Sequence, residues 1–388
     1  MKISFLRIVG LAFSLSALAS GHASELSFQD KARSAFAGPV AEYRIPGLVV
    51  GVTDRGEHHF YSVGLASRAD KQPATPDTLF ELGSISKVFN ATLAALAEQR
   101  GKLALEDKAA HYLCADACKI GDDMTLMDLA THHSGGLPLQ VPDGVKDADG
   151  LVDWLKTWRP SQPGARSYSN ISIGLLGRIT AQALGMRYAH AVETLLFQEL
   201  GLENTWIQVP EQAMGKYAFG YDRKTDAAIR VTPGVLDSEA YGVKSSARDM
   251  LRLLDAELGN APVSPELEAA MRRTQEGRFR TAAFTQGMIW EQYPWPVDLE
   301  TMKRGNGLDF ILHPQPVERI SPALPPQKDV ILNKTGSTNG FGGYIAMLPA
   351  KGLGVVVLAN RNFPNEARVE ATYSLIETLL ADPQRRPG

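Results

Sequence analysis

The sequence predicts an α/β (α+β) fold: an antiparallel sheet flanked by helices, built from both termini, with a mostly helical domain inserted between them. Three observations carry this. Short apolar strands cluster at the two ends of the chain, and helical periodicity fills the middle. The links between successive strands are too short for a crossover, so neighbouring strands pair antiparallel. The predicted boundaries are a signal peptide over 1–23, a sheet domain over 24–80 and 325–388, and a mainly helical domain with cleft loops over 81–324.

The elements follow in order. Lys2 and Arg7 precede an apolar run from Ile8 to Ala19. Small residues then lead to Gly21-His22-Ala23, the pattern of an export signal with its cleavage site. The run is short for a bilayer span, so a retained anchor is the second reading. Phe28 to Tyr43 reads as an amphipathic helix. Gly47 to Thr53 and Phe60 to Leu65 read as a hairpin turning at Asp54-Arg55-Gly56. Helices are expected over 84–100, 125–132, 152–158, 171–184 and 188–200, then over 246–258 and 265–274. The stretches 201–243 and 306–327 read as loops, the second from its prolines. Val330 to Thr335, Gly343 to Leu348 and Leu353 to Leu358 read as strands, and Glu366 to Ala381 as a closing helix. A sheet facing a helical insert leaves a cleft between them for a site.

Composition limits the function. The 388 residues are 44% hydrophobic and 21% charged with a net charge of −3, so a large core is available and no field for nucleic acid or anionic lipid is expected. Eight histidines show no metal-ligand spacing, so no metal and no cofactor are expected. His132-His133 reads as a helix-end charge partner. Cys114 and Cys118 are the only cysteines, and a local bridge and two free thiols both fit.

Three short patterns carry chemistry. In Gly83-Ser84-Ile85-Ser86-Lys87, a helix puts Ser84 and Lys87 one turn apart on one face, beside unpaired backbone N–H groups. A hydroxyl, an amine able to take its proton and a set of N–H donors are what acyl transfer to serine needs. On spacing alone, a helix cap beside a solvated lysine is the better reading of the pair. In Tyr168-Ser169-Asn170, an extended backbone points Tyr168 and Asn170 the same way, though Asn170 also suits a helix cap. In Lys334-Thr335-Gly336-Ser337 at a strand end, the glycine lets a ligand approach the backbone.

In the order S-x-x-K, Y-x-N, K-T-G, the sequence resembles the serine beta-lactamases and penicillin-binding proteins, and over essentially the whole mature chain the class C, cephalosporinase-type beta-lactamases. Phe80 to Ser84, Gly136 to Pro142, Glu239 to Ser245, Lys334 to Gly342 and Leu358 to Asn365 share in it. The resemblance implies a beta-lactamase/transpeptidase-like fold and a periplasmic, monomeric hydrolase. Its substrates would be small beta-lactams, with no membrane contact after signal removal. It assigns catalysis to Ser84, Lys87, Tyr168 and Lys334, and the oxyanion hole to the backbone N–H groups of Ser84 and Ser337. Gln140, Asn170 and Tyr241 would meet the substrate's acyl side chain. Lys334, Thr335, Gly336, Asn365 and Arg368 would meet its carboxylate, with Asn362 beside them. Whether Tyr168 is anionic or relays a proton to Lys87 stays open. Asn362 and Asn365 also read as turn and cap residues, and Arg368 as a solvated helical residue. A D-alanyl-D-alanine carboxypeptidase or esterase on the same scaffold is the alternative activity, and a non-catalytic peptidoglycan-binding protein is a third.

Overall fold

The computed structural model describes residues 27–114, 120, 123–383 and 385. The predicted signal peptide and Cys118 lie outside the described residues. Cys114 is disulfide-bonded.

Strands β1 (Gly47–Asp54), β2 (Glu57–Ser67) and β3 (Gln72–Pro73) come from the N-terminal part. Strands β4 (Gly277–Arg280), β5 (Thr285–Gln286), β6 (Glu291–Pro294) and β7 (Glu318–Leu324) come from later in the chain. Strands β8 (Val330–Ser337), β9 (Gly342–Leu348) and β10 (Leu353–Ala359) complete one ten-stranded sheet, in the order β7-β4-β5-β6-β8-β9-β10-β1-β2-β3. All its pairings are antiparallel. The N-terminal hairpin therefore closes against the C-terminal strands, with Leu48 opposite Ala359.

Strands β4 to β7 were not expected. Residues 277–324 fell within the helical stretch by sequence, and 306–327 within a loop. Three of these strands have only two to four residues, too few to display a period of two. The fourth is the sheet's edge, mostly exposed and holding Pro322, a residue that an edge strand tolerates.

Alternation puts successive side chains on opposite faces. In β10, Val356 and Leu358 pack toward the helical layer, whereas Val355 and Val357 pack toward the terminal helices. Those terminal helices are α1 (Phe28–Glu42) and, at the other end of the chain, Asn365–Leu380. Both faces of the sheet are thus dry, which explains why its central strands read as continuous apolar runs.

Helix α2 (Ser86–Gln99) is the centre of the helical layer, entered through a 3-10 turn at Gly83–Ile85. Ser86 to Ala97 are all buried, so the helix has no solvated face. Its polar groups must be satisfied internally, because an unpaired buried amide or ammonium costs several kcal/mol. Asn90 Nδ2 donates to Ile173 O and Glu239 O at 2.9 and 2.8 Å, and Thr92 Oγ1 to Val88 O at 2.9 Å. Lys87 is the third such group.

Candidate active site

Ser84 sits in the 3-10 turn that opens α2. Lys87 Nζ donates three hydrogen bonds: to Ser84 Oγ at 2.8 Å, Asn170 Oδ1 at 2.7 Å and Ala240 O at 2.8 Å. All three acceptors are neutral, so none of them is a carboxylate that would hold the charge on the ammonium. Burial pulls Lys87 down, Tyr168 pulls it back up and Lys334 presses it down again, leaving it at about 8.

Asn170 is free to hold Lys87 because Ser169 caps its helix, α3 (Asn170–Ala183), accepting from Ser172 N at 3.1 Å. Asn170 Nδ2 donates to Gln140 Oε1 at 3.1 Å, which ties the loop at 136–142 to the site.

Tyr168 is buried beneath four groups. The ammonium of Lys334 lies 5.1 Å from its ring centroid, that of Lys87 5.4 Å and the guanidinium of Arg166 5.5 Å, while the His132 ring packs at 4.4 Å. Burial, the largest influence, opposes ionisation of the phenol. Lys334, Lys87 and a hydrogen bond with Ser84 outweigh it and bring Tyr168 to about 8. Lys334 sits on β8 with Nζ bonded to Thr335 O at 2.9 Å.

Two glycines set how closely the strand and the nucleophile's turn approach. A Cβ on Gly336 would lie 2.0 Å from Leu82 O and 2.9 Å from Ile85 N. A Cβ on Gly83, whose φ is +52°, would lie 2.5 Å from Ser337 N. Gly336 therefore admits the backbone of Leu82 as well as bordering the cleft. This interlock brings Ser337 N beside the turn that carries Ser84.

The cleft divides around Ser84. One cavity of about 530 Å³ is lined by Ser84, Gln140, Asn170, Tyr241, Ser337 and Asn362 among others. The other, of about 370 Å³, is lined by Ser84, Tyr168, Thr335, Gly336, Asn362 and Asn365 among others. Of the thirteen residues expected at the site, eleven line these cavities or bond Ser84 directly, while Lys334 packs against the Tyr168 ring and Arg368 stands apart.

Arg368 corrects an expectation. It is fully buried, and its guanidinium donates to Gly336 O at 2.8 Å, Ser337 Oγ at 3.0 Å, Gly343 O at 3.2 Å, Asn362 Oδ1 at 2.6 Å and Phe363 O. Its place is behind the end of β8, where it braces Gly336 and Ser337 from the side away from the cleft. A solvated first-turn arginine is excluded too, because the helix of Asn365–Leu380 turns this face onto the sheet. Asn365 is not the cap of that helix, which is Pro364, and its Nδ2 donates to Asn306 O at 3.0 Å.

His132 corrects another. His133 meets Asp128 at 3.0 Å as a helix-end partner should, but His132 turns inward with φ +60°. Burial, then Arg166, Lys87 and Lys334, hold it well below its ordinary value, so it is neutral. Its Nδ1 accepts from Ser169 N at 3.3 Å. Sequence reasoning also missed Arg166 and Glu291. Arg166 bonds Gln286 Oε1 at 2.7 Å, Phe310 O at 2.9 Å and Glu291 Oε1 at 3.1 Å. The available signal was spacing: in extended backbone, Arg166 shares a face with Tyr168. Glu291 offered none, since strand pairing alone brings it to the site. Glu81 braces the cleft edge, accepting from Thr338 Oγ1 at 2.6 Å and from Tyr217 OH and Val231 N at 2.7 Å each.

A hydroxyl held by an amine that burial has made easier to deprotonate, beside a phenol pulled toward ionisation and two converging backbone segments, defines a serine enzyme of acyl transfer. A family model described as Beta-lactamase matches residues 32–380. The chain belongs to that family, in its serine, class C branch. A beta-lactamase of Psychrobacter immobilis is 41% identical over 343 residues, covering 88% of this chain and 85% of the relative. The crystal structure of a class C beta-lactamase from Rhodobacter sphaeroides is 66% identical with a TM-score of 0.88, covering 90% of this chain and 99% of that one. A structure described as a beta-lactamase/D-alanine carboxypeptidase from Pseudomonas syringae is 41% identical with a TM-score of 0.88, covering 92% and 100%.

Proposed function

We propose that the enzyme hydrolyses the beta-lactam ring of cephalosporins and penicillins through an acyl-enzyme on Ser84. The 2.8 Å contact between Lys87 Nζ and Ser84 Oγ carries this reading, because once the amine, lowered to about 8, has lost its proton it can accept the hydroxyl's proton across that same contact. Ser84 Oγ adds to the lactam carbonyl as its proton passes to the Lys87–Tyr168 pair. The oxyanion is held by the N–H groups of Ser84 and Ser337, each such donor being worth about 3 kcal/mol of barrier. The C–N bond then breaks, and Tyr168, with Lys334 beside it, returns a proton to the departing nitrogen. Water, activated by the same phenol, cleaves the ester and restores Ser84. Gln140, Asn170 and Tyr241 receive the acyl side chain. Thr335, Gly336 and Asn365 face the substrate carboxylate with Asn362, while Arg368 acts on it only by fixing Gly336 and Ser337. We place this activity in an exported periplasmic monomer, on the charge and apolar pattern of residues 2–23.

The test is nitrocefin turnover together with mass spectrometry of a quenched reaction. Repeated turnover and an adduct on Ser84, both absent in Ser84→Ala, are expected. An enzyme that acylates once and stalls would overturn the hydrolytic step. The Pseudomonas syringae relative's description gives the second reading, and faster release of D-alanine from a D-alanyl-D-alanine peptide than of hydrolysed lactam would establish it.

A further inference from the structure

The second cavity needs a cation to meet an anionic substrate, and the two expected there are engaged elsewhere. Arg368 is sealed behind β8 and Lys334 is bonded to Thr335 O beneath Tyr168. Arg223 lines that same cavity with Ser84, Thr335 and Asn365. Its side chain is exposed, and no carboxylate pairs with it among the described residues. It lies close enough for its charge to act on Arg368.

Arg223 is presented by a braced turn. The short strands Gly220–Tyr221 and Ala228–Ile229 pair across it. Asp222 Oδ1 accepts from Lys224 N and Thr225 N at 2.8 Å each and from Thr225 Oγ1 at 3.0 Å. Asp226 holds Arg68 at 2.7 Å and also Arg361, and Arg68 N donates to Tyr221 OH at 2.7 Å. Across the cavity stand Leu308 and Leu312, both exposed, and Glu366 supplies the one opposing charge on its wall.

We propose that Arg223 sets the charge preference of this end of the cleft, favouring substrates whose C3 substituent is neutral or anionic over those with a cationic one. This rests on the beta-lactam reading above: with the acyl side chain against Tyr241, which lines the first cavity and not the second, the opposite end of the bicycle, bearing the carboxylate and the C3 group, faces Thr335, Gly336 and Asn365 in the second. A rim charge acts through water, so each change of charge alters the encounter by up to about five-fold and fades with salt.

The test compares cephalothin with cephaloridine, which share an acyl side chain and differ at C3 by a neutral acetoxymethyl against a cationic pyridiniomethyl group. Arg223→Glu is expected to lower kcat/KM for cephalothin and raise it for cephaloridine, moving their ratio by about ten-fold at low ionic strength. Arg223→Gln should move the ratio the same way by less, and 0.5 M salt should shrink both shifts. A parallel change for both substrates, or an unmoved ratio, would overturn the assignment. Parent enzyme that turns over neither compound would instead overturn the beta-lactam reading itself.

Discussion

Replacing Gly336 by alanine tests whether backbone interlock builds the oxyanion site. The added Cβ would lie 2.0 Å from Leu82 O, and real contacts of this kind do not fall below 3.0 Å. The end of β8 and the turn carrying Ser84 must therefore separate by about 1 Å. Neither side yields easily, because the obstructing atoms are backbone and Gly83 locks the same junction from the other direction, 2.5 Å from Ser337 N. A shift of about 1 Å takes the Ser337 N–H out of reach of an oxygen held by the Ser84 N–H. Losing one such donor lowers kcat by about 10²-fold, and misplacing a reacting group by that distance costs a similar factor. The overpacking itself costs about 1–3 kcal/mol, too little to unfold a protein with this core. The assay is steady-state kcat on nitrocefin beside a thermal melt. A folded Gly336→Ala enzyme with the parent kcat would refute the argument.

Other outcomes follow from the buried ionisable groups. Lys87 and Tyr168 both titrate at about 8, and the proton acceptor must be empty before Ser84 can react, so kcat/KM should climb as pH rises through about 8; a profile flat from pH 6 to 9 would contradict this. Tyr168→Phe should lower kcat by about 10²–10⁴-fold, and a parental rate would reduce the tyrosine to packing. Glu257 is buried, with Gln275 Nε2 at 2.7 Å on one oxygen and no partner on the other, and burial raises it from 4.5 to about 8. A raised carboxyl adds stability that is complete below about 4.5 and is lost as pH rises through about 8. Glu257→Gln should therefore flatten the fall in Tm between pH 5 and 8.5, and an unchanged slope would show that this group does not govern it.

Much of the site was legible because its members occupy fixed local geometries. Ser84 and Lys87 are three residues apart across the 3-10 turn and the first turn of α2, and Tyr168 and Asn170 flank the extended Ser169 that caps α3. Each spacing dictates a shared face before any tertiary contact forms. The central strands were legible because both their faces are buried, and so was the helix of Ser84 because no proline or glycine interrupts it. Strands of two to four residues carry no period, so β4 to β6 stayed invisible until pairing revealed them.

Tertiary packing alone decided the chemical state of these residues. The Tyr168 phenol, the Lys87 amine and the Arg166 guanidinium have ordinary affinities for protons in the sequence, and only burial together changes them. The same holds for Arg368, whose sequence position suits a ligand contact but whose helix turns it onto β8. It holds for His132, which a left-handed backbone turns away from solvent. The sequence by itself determined which groups could act and in which local register. The fold decided which of them meet the cleft, because proximity between segments up to about 250 residues apart and the loss of solvent around a charge exist only once the sheet has closed on the helices.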